Sequence, residues 1–143
     1  MTPTSPDLAA RQALLAALTT DRALMALVHG VHDGTPVQAA PPYVVLGESL
    51  GSDWGGKSEE GREVTLGLSF YARGQDSIRI AAAVRAADLA LAKLPRAQDG
   101  WQIVTTRVTR TKVAGSAELM KATAKGGGWA ALMDVRMRLL AQG

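Results

Sequence analysis

The hydrophobic positions change their spacing along the chain, and these changes predict the order of helices and strands. Leucines first recur at helical spacing after Ser5-Pro6-Asp7, where a capping serine, a proline and an acid favour a helix start. Thr20-Asp21 offers similar capping chemistry to a second, shorter helix, for which Gly30 is the expected stop. The apolar run from Tyr43 to Gly47 then predicts a short strand.

Two later segments alternate between apolar and polar residues with the period of two that a half-buried strand requires. The first covers residues 62–73, and its apolar set is Val64, Leu66, Leu68 and Phe70. The second closes the chain and alternates from Trp129 to Leu139, with Arg136 and Arg138 on its polar side. Both segments therefore predict strands that turn one face to the core.

A long helix is predicted between these two strands. Apolar residues recur every three or four positions from Asp76 to Leu94, and Pro95 then closes the stretch. Asp99-Gly100 marks a turn, and the β-branched run from Trp101 to Val113 predicts a further strand.

Strands on either side of one long helix favour an α+β fold. We expect a mixed or antiparallel sheet of about four strands, with the long helix packed on one face and with N-terminal helices. Neither an internal repeat nor a second domain is evident, so residues 1–143 are expected to form a single domain. Flexible loops are expected at about 51–61 and 114–128.

The overall composition excludes several classes of protein. The chain is 47% hydrophobic and 20% charged, as in an ordinary globular domain that folds around a core. It has no cysteine, which excludes disulfides, thiol nucleophiles and cysteine-bound zinc. No apolar run approaches the ~18 residues of a membrane span, and the N-terminus lacks a signal-peptide pattern, so we expect a soluble, unexported protein without membrane contact. With 16 basic against 13 acidic residues, contact with a polyanion is allowed but not required.

The stretch GSDWGGKS, Gly51 to Ser58, fits the phosphate-binding pattern G-x-x-x-x-G-K-S/T at every fixed position. A working P-loop also needs a helix that begins inside the motif, because the helix N-terminus holds the phosphates. Here Glu59 and Glu60 follow, and the alternating strand begins soon after them. We therefore expect an exposed, hairpin-like loop, a solvated acidic rim that includes Glu63, and no nucleotide cofactor.

The other candidate sites have simple structural interpretations. His29, His32 and Asp33 are close in sequence, but Gly30 breaks the helix between the histidines and the chain has no third histidine. No serine stands in a nucleophile elbow with a histidine partner. We therefore expect no catalytic residue, no metal site and no cofactor, and hence no enzyme.

Two sets of residues are candidates for contacts with other molecules. Trp54 and Lys57 lie in the 51–61 loop, where a large aromatic side chain among small and polar residues indicates either a contact with another chain or local packing. The basic residues of the last two strands either face DNA or lie on a solvated sheet edge and deter aggregation. These basic candidates are Arg107, Arg110, Lys112, Arg136 and Arg138.

The order of several segments resembles a known family. The amphipathic stretch ALLAALTTDRALMALV is followed by HDGTP, by PPYVVLGES, and by EVTLGLSFYARG with IRIAAAVRAAD. These segments, from about Leu14 to Val113, and the closing strand MDVRMRLL resemble the small tail-completion proteins of long-tailed phages, prophages and gene transfer agents. None of the matching segments is a catalytic motif.

This resemblance implies a tail terminator, a structural virion protein that lies at the tail–neck junction and is made in the host cytoplasm. Such proteins form a ring, typically a hexamer, that caps the head-proximal end of the tail tube while DNA passes through its centre. The implied partners are further copies of the chain, the major tail tube protein and a head-completion or stopper protein. Two alternatives stay open: a small nucleic-acid-binding module that uses the basic strands, and another neck or tail-adaptor protein of the same particle.

Overall fold

The computed structural model describes residues 4–74, 77–115 and 128–142 of the chain. These residues have the predicted α+β fold with a mixed sheet, but the sheet that they form contains six strands rather than about four. The elements in chain order are α1 (Pro6–Thr19), α2 (Arg22–Met25), β1 (Val31–Asp33), β2 (Tyr43–Asp53), β3 (Gly61–Arg73), α3 (Ser77–Leu91), β4 (Ala97–Gln98), β5 (Trp101–Gly115) and β6 (Gly128–Ala141).

The strand order across the sheet is β1-β2-β3-β6-β5-β4. β1 runs parallel to β2, and the other neighbouring pairs are antiparallel. β1 and β4, which the sequence prediction missed, stand at the two edges and are too short to show a hydrophobic period. The predicted turn before β5 is confirmed: Asp99 and Gly100 have φ angles of 47° and 91°, the positive values that a tight two-residue hairpin turn requires.

The N-terminal helices begin where the sequence predicts. The Ser5 hydroxyl accepts from the Leu8 backbone N–H at 3.5 Å, and the Asp21 carboxylate accepts from the Leu24 N–H at 2.9 Å. These caps satisfy backbone donors that the first turn of a helix leaves open.

The second helix ends earlier than predicted. It stops at Met25, and the expected stop at Gly30 is wrong. The Gly30 carbonyl instead accepts from the Val44 N–H at 3.0 Å, so this part of the chain already belongs to the edge of the sheet.

The prediction of a single long helix was also wrong in detail. α1 has 14 residues and α3 has 15, so two helices of similar length cover the sheet. The predicted helix start at Asp76 lies outside the described residues. At the other end α3 stops at Leu91. Backbone hydrogen bonds of the i→i+3 type then form 3₁₀-like turns up to Leu94, the predicted end of the helix. None of the helices in the described part of the chain combines the length and the apolar character of a membrane span.

The core lies between the helices and one face of the sheet. The alternation predicted for the two central strands is confirmed, because Leu66 pairs with Val135 and Leu68 with Met133, all at most 2% exposed. The helices contribute many small side chains, which let them approach the sheet closely. These buried alanines are Ala9, Ala10, Ala13, Ala83, Ala86, Ala87 and Ala90.

Strands extend into both segments that the sequence predicted as loops. Of the predicted 51–61 loop, residues 51–53 continue β2 and Gly61 begins β3, which leaves a turn over residues 54–60. Of the predicted 114–128 loop, the first two residues belong to β5 and Gly128 belongs to β6. Residues 116–127 lie outside the described part of the chain.

Candidate functional site

The basic candidates of the last two strands share one face of the sheet, opposite the helices. Arg136 and Arg138 alternate with buried Met137 and therefore point away from the core. The β5–β6 register then places Arg107 directly opposite Arg136. The same register places Arg110 opposite Asp134 and Lys112 opposite Leu132, and residues opposite one another across a ladder share a face. We call this helix-free side of β2, β3, β6 and β5 the open face.

A bulge in β5 brings its basic residues together. Strict alternation would place Arg107 on the face opposite that of Arg110 and Lys112, because side chains along a strand change sides at every residue. The register shifts between Val108 and Arg110, which leaves Thr109 as the extra residue and returns all three basic side chains to the open face.

Two ion pairs neutralise part of the charge on the open face. The Arg110 Nε lies 2.9 Å from an Asp134 carboxylate oxygen, and the Arg138 Nε lies 2.9 Å from a Glu63 carboxylate oxygen. The second pair is the more sheltered, with side chains 33% and 26% exposed. The sequence predicts a solvated rim that includes Glu63, whereas in the structure Glu63 lies opposite Arg138 on the neighbouring strand and pairs with it.

The centre of the open face keeps its positive charge. Arg136 lies between these two ion pairs along β6, and its Nε is buried without a hydrogen-bond partner. Arg107, directly opposite on β5, is exposed. Within the described residues neither guanidinium forms an ion pair, so two like charges stand side by side at a position where an anion would be stabilised.

An open hollow of about 480 Å³ adjoins this positive centre between β2, β3 and β6. Glu48, Leu50, Thr65, Ser69 and Asp134 are among its lining residues. No histidine lines it, and the polar groups do not pair a nucleophile with a base. The hollow therefore offers a surface for contact beside the positive centre.

Trp54 makes a local contact at the tip of the β2–β3 hairpin. Its side chain is half-buried, and the Arg138 guanidinium carbon lies 5.4 Å from the ring centroid, within the range of a cation–π contact. Its backbone N–H donates to the Gly61 carbonyl at 3.0 Å. Lys57, at the turn, is exposed. The assignment of both residues to an interface stays a prediction.

The remaining candidates lie apart from the open face. The His29 Nδ1 donates to the Ala40 carbonyl oxygen at 3.0 Å, and the His32 ring meets the Tyr43 ring edge-on with centroids 5.9 Å apart. The Asp33 carboxylate is paired with the Arg11 guanidinium. In the described ranges, no group of three or more acidic or histidine side chains is placed to hold a metal ion.

The GSDWGGKS stretch forms part of a β-hairpin, as the sequence predicted, although its first three residues belong to β2. β2 runs into it, a turn follows, and β3 begins at Gly61 without any intervening helix. The backbone donors and the helix N-terminus that would hold phosphates are therefore not assembled.

We expect no saturable binding of Mg²⁺-ATP or Mg²⁺-GTP to this turn. Isothermal titration calorimetry on the wild type and on Lys57→Ala provides the measurement. Saturable binding that the Lys57→Ala change abolishes would restore a nucleotide site.

Comparison with known proteins identifies the family and the fold of the chain. The sequence matches the family described as tail completion protein gp17 over residues 12–123. A solved chain of the "Virion of native gene transfer agent (GTA) particle" is similar with a TM-score of 0.74 and 22% identity, over 98% of this chain and 99% of that chain. The bacteriophage SPP1 gp17 protein is similar with a TM-score of 0.63 and 19% identity, over 92% of this chain and 88% of that chain. Among curated proteins none matches.

The two kinds of comparison support different statements. At these identities the solved structures establish a shared fold. The family match covers most of the chain, from α1 to beyond β5, and includes the segments from Leu14 to Val113 that carry the resemblance, but not the closing strand. The chain belongs to the tail completion protein gp17 family.

Proposed function

We propose that the chain is a tail terminator, a structural virion protein that forms a ring on the head-proximal end of a tail tube. The observation that carries the proposal is its membership of a tail-completion family, together with a fold shared along nearly the full length of a gene-transfer-agent virion chain. In this function the ring, a hexamer, stops growth of the tube and offers a surface to a head-completion or stopper protein. Double-stranded DNA passes through the ring, at the junction of tail and neck.

The geometry of the chain suits assembly rather than chemistry. The charged side chains of the open face are arranged in ion pairs and a positive centre, and no helix of the described residues covers them. A ring needs two different surfaces on each copy that fit one another, because the contact repeats head to tail until it closes. We infer assembly from the newly made protein in the host cytoplasm, on completed tubes of the major tail tube protein.

Deletion of the gene in the producing cell tests this function. We expect separate filled heads and tails, with tails of uncontrolled length, and restoration by the wild-type gene. Gold labelling of a tagged copy should mark the head-proximal tail end. Attached tails of normal length in the deletion strain would show that the chain is not a terminator. Labelling elsewhere in the neck would favour another adaptor protein.

Trp54→Ala is expected to leave the fold intact and to lower ring formation or tail attachment. A cation–π contact that is only partly buried contributes about 1 kcal/mol to folding, whereas aromatic anchors in interfaces often contribute more to binding. The measurements are chemical unfolding of the isolated protein and particle titre. Trp54→Phe keeps an aromatic ring and serves as the control. A wild-type particle titre for Trp54→Ala would show that Trp54 serves local packing and is not an interface residue.

The basic residues of the open face are expected to give weak, sequence-independent DNA affinity that disappears near physiological ionic strength. DNA must slide through the ring, and each tight phosphate contact would add drag and salt-dependent affinity. Arg136→Gln with Arg138→Gln should therefore change DNA delivery or assembly more than folding.

The ion pairs of the open face allow a more specific prediction of which arginines contribute to DNA binding. Glu63 already neutralises Arg138, so Arg107→Gln with Arg136→Gln should weaken DNA binding more than Arg138→Gln alone. DNA retention at low and physiological salt measures the difference. Tight binding at physiological salt would favour the nucleic-acid-binding module. An unchanged particle titre in Arg136→Gln/Arg138→Gln would indicate that these residues are solvated and make no functional contact with DNA.

A further inference from the structure

The sheet leaves part of β2 without a neighbour. β1 pairs only with Val44–Leu46, and the Arg11 guanidinium then donates to the Leu46 and Gly47 carbonyl oxygens at 3.2 and 2.6 Å. Beyond this cap, no strand of the described residues lies beside Ser49–Asp53 on the side away from β3. We call Ser49–Asp53 the β2 edge.

The backbone of the β2 edge is oriented for a further strand. The Trp54 N–H donates to the Gly61 carbonyl. Along an antiparallel ladder, residues that bond to the neighbouring strand alternate with residues whose N–H and C=O groups point away from it. The N–H and C=O groups of Ser49, Gly51 and Asp53 therefore point outward. Such a row of groups is a template for pairing with another strand.

A second open edge lies on the other side of the sheet. β4 pairs only with Trp101 and Gln102, and no strand of the described residues covers β5 from Thr105 to Gly115 on that side. An open hollow of about 530 Å³ runs along Thr106–Thr111, and Asp88 of α3 is on its lining. We call Thr105–Gly115 the β5 edge.

The two edges carry opposite charge. The β2 edge contains Asp53 and directly follows Glu48, and it has no basic residue, whereas the β5 edge contains three basic residues and no acid. Glu48 is exposed and lines the same open-face hollow as Asp134, so it lies on the face that also carries Arg107 and Lys112. Opposite charges on facing strands stabilise pairing, and like charges oppose it.

The strand directions allow the two edges to meet in successive copies. Three antiparallel junctions separate β2 from β5, so these strands run in opposite directions. Rotation about an axis parallel to the strands leaves the strand directions unchanged. The β5 edge of a second copy related by such a rotation therefore runs antiparallel to the β2 edge of the first copy. Because the edges are different surfaces on opposite sides of one sheet, the contact repeats head to tail, which is the kind of contact that a closed ring requires.

We propose that the β2 edge of one copy pairs with the β5 edge of the next, with Glu48 facing the basic side chains of the open face. The sheet then continues across the subunits, and the ring leaves neither edge exposed. The inference rests on the proposed ring function. The competing interpretation is that the basic residues only protect a free edge from aggregation.

Disulfide trapping tests the contact directly, because the chain contains no cysteine. Ser52→Cys is combined in turn with Thr105→Cys and with Thr109→Cys, which covers neighbouring registers. Mild oxidation of assembled particles should give a ladder of covalent multimers that ends in a closed ring for at least one pair. Each single cysteine should stay monomeric. Ser52→Cys with Ala82→Cys, on the exposed side of α3, is the matched control and should give no ladder.

Charge exchange tests the same contact without cross-linking. Glu48→Lys should lower the amount of assembled ring about tenfold by placing like charges opposite one another. Adding Lys112→Glu or Arg107→Glu should restore it. Glu59→Lys makes the same charge change in the hairpin turn, outside both edges, and should have a smaller effect.

The outcomes separate this contact from the ring itself. Particles that contain the ring, yet give no ladder with either cysteine pair and tolerate Glu48→Lys, would overturn the edge pairing and leave the terminator function standing. A ladder that forms with Ser52→Cys alone would indicate a symmetric contact and overturn it as well. Cross-linking of the β2 edge to a protein of different mass would assign that edge to another partner. Attached tails of normal length in the deletion strain would instead remove the ring function on which the inference rests.

Discussion

Replacing Trp101 by alanine is expected to lower the free energy of unfolding by about 3–5 kcal/mol. That is a large part of the ~5–15 kcal/mol that keeps a domain folded. Trp101 is the largest of the fully buried side chains, at 1% exposure. Its indole Nε1 donates to the Thr4 carbonyl oxygen 2.7 Å away and fastens the segment before α1 to the first residue of β5. Alanine removes both the packing and the hydrogen bond.

Two control variants separate these contributions. Trp101→Phe keeps much of the apolar volume and loses the Nε1 donor, so its cost should be smaller and should include about 1 kcal/mol for the hydrogen bond. Trp54→Ala removes a half-buried ring and should cost only about 1 kcal/mol. Urea unfolding followed by far-ultraviolet circular dichroism measures all three. Equal midpoints for Trp101→Ala and Trp54→Ala would contradict the buried position of Trp101.

Gly55→Ala is expected to be the most disruptive small change in the hairpin turn, at about 2–3 kcal/mol. A Cβ at this position would lie 2.6 Å from the Glu59 carbonyl oxygen and 2.8 Å from the Gly61 nitrogen. Both atoms belong to the backbone, so the turn must open to admit the methyl group. Opening weakens the hydrogen bond from the Trp54 N–H to Gly61 and moves the Trp54 ring away from Arg138.

The neighbouring glycine provides a matched control. A Cβ on Gly56 would meet only the Glu59 side chain, at 3.5 Å, which is an ordinary contact with a flexible group. Gly56→Ala should therefore unfold at nearly the wild-type urea concentration. Gly55→Ala should unfold earlier and should also reduce ring assembly, because the turn carries Trp54 next to the β2 edge. Equal unfolding midpoints for the two variants would show that the turn is looser than its backbone contacts indicate.

Patterns that span only a few residues led to correct predictions. Ser5 and Asp21 cap helices because a side-chain oxygen reaches a backbone donor within one turn. The alternation of β6 places Arg136 and Arg138 on one face because neighbouring side chains along a strand change sides. The strand that follows the GSDWGGKS stretch was predicted because apolar and polar residues alternate along it.

Elements that depend on a distant partner were missed or misjudged. Residues 51–53 have little strand propensity of their own, and pairing with β3 extends β2 through them. β1 and β4 exist because Val44–Leu46 and Trp101–Gln102 offer free ladder positions beside them. A short segment with no hydrophobic period carries no local signal of such pairing.

The sequence by itself determined the α+β class, the core faces of the central strands and the resemblance to the tail-completion family, all of which rest on local order along the chain. The arrangement of the open face was decided by the tertiary structure. Glu63 meets Arg138 across 75 positions of sequence, and Arg107 meets Arg136 only through the β5–β6 register. One extra residue at Thr109 sets the face on which Arg107 lies, and the consequence of such a bulge depends on the partner strand. The charge pattern and the two open edges therefore follow from strand pairing, which no short stretch of the sequence encodes.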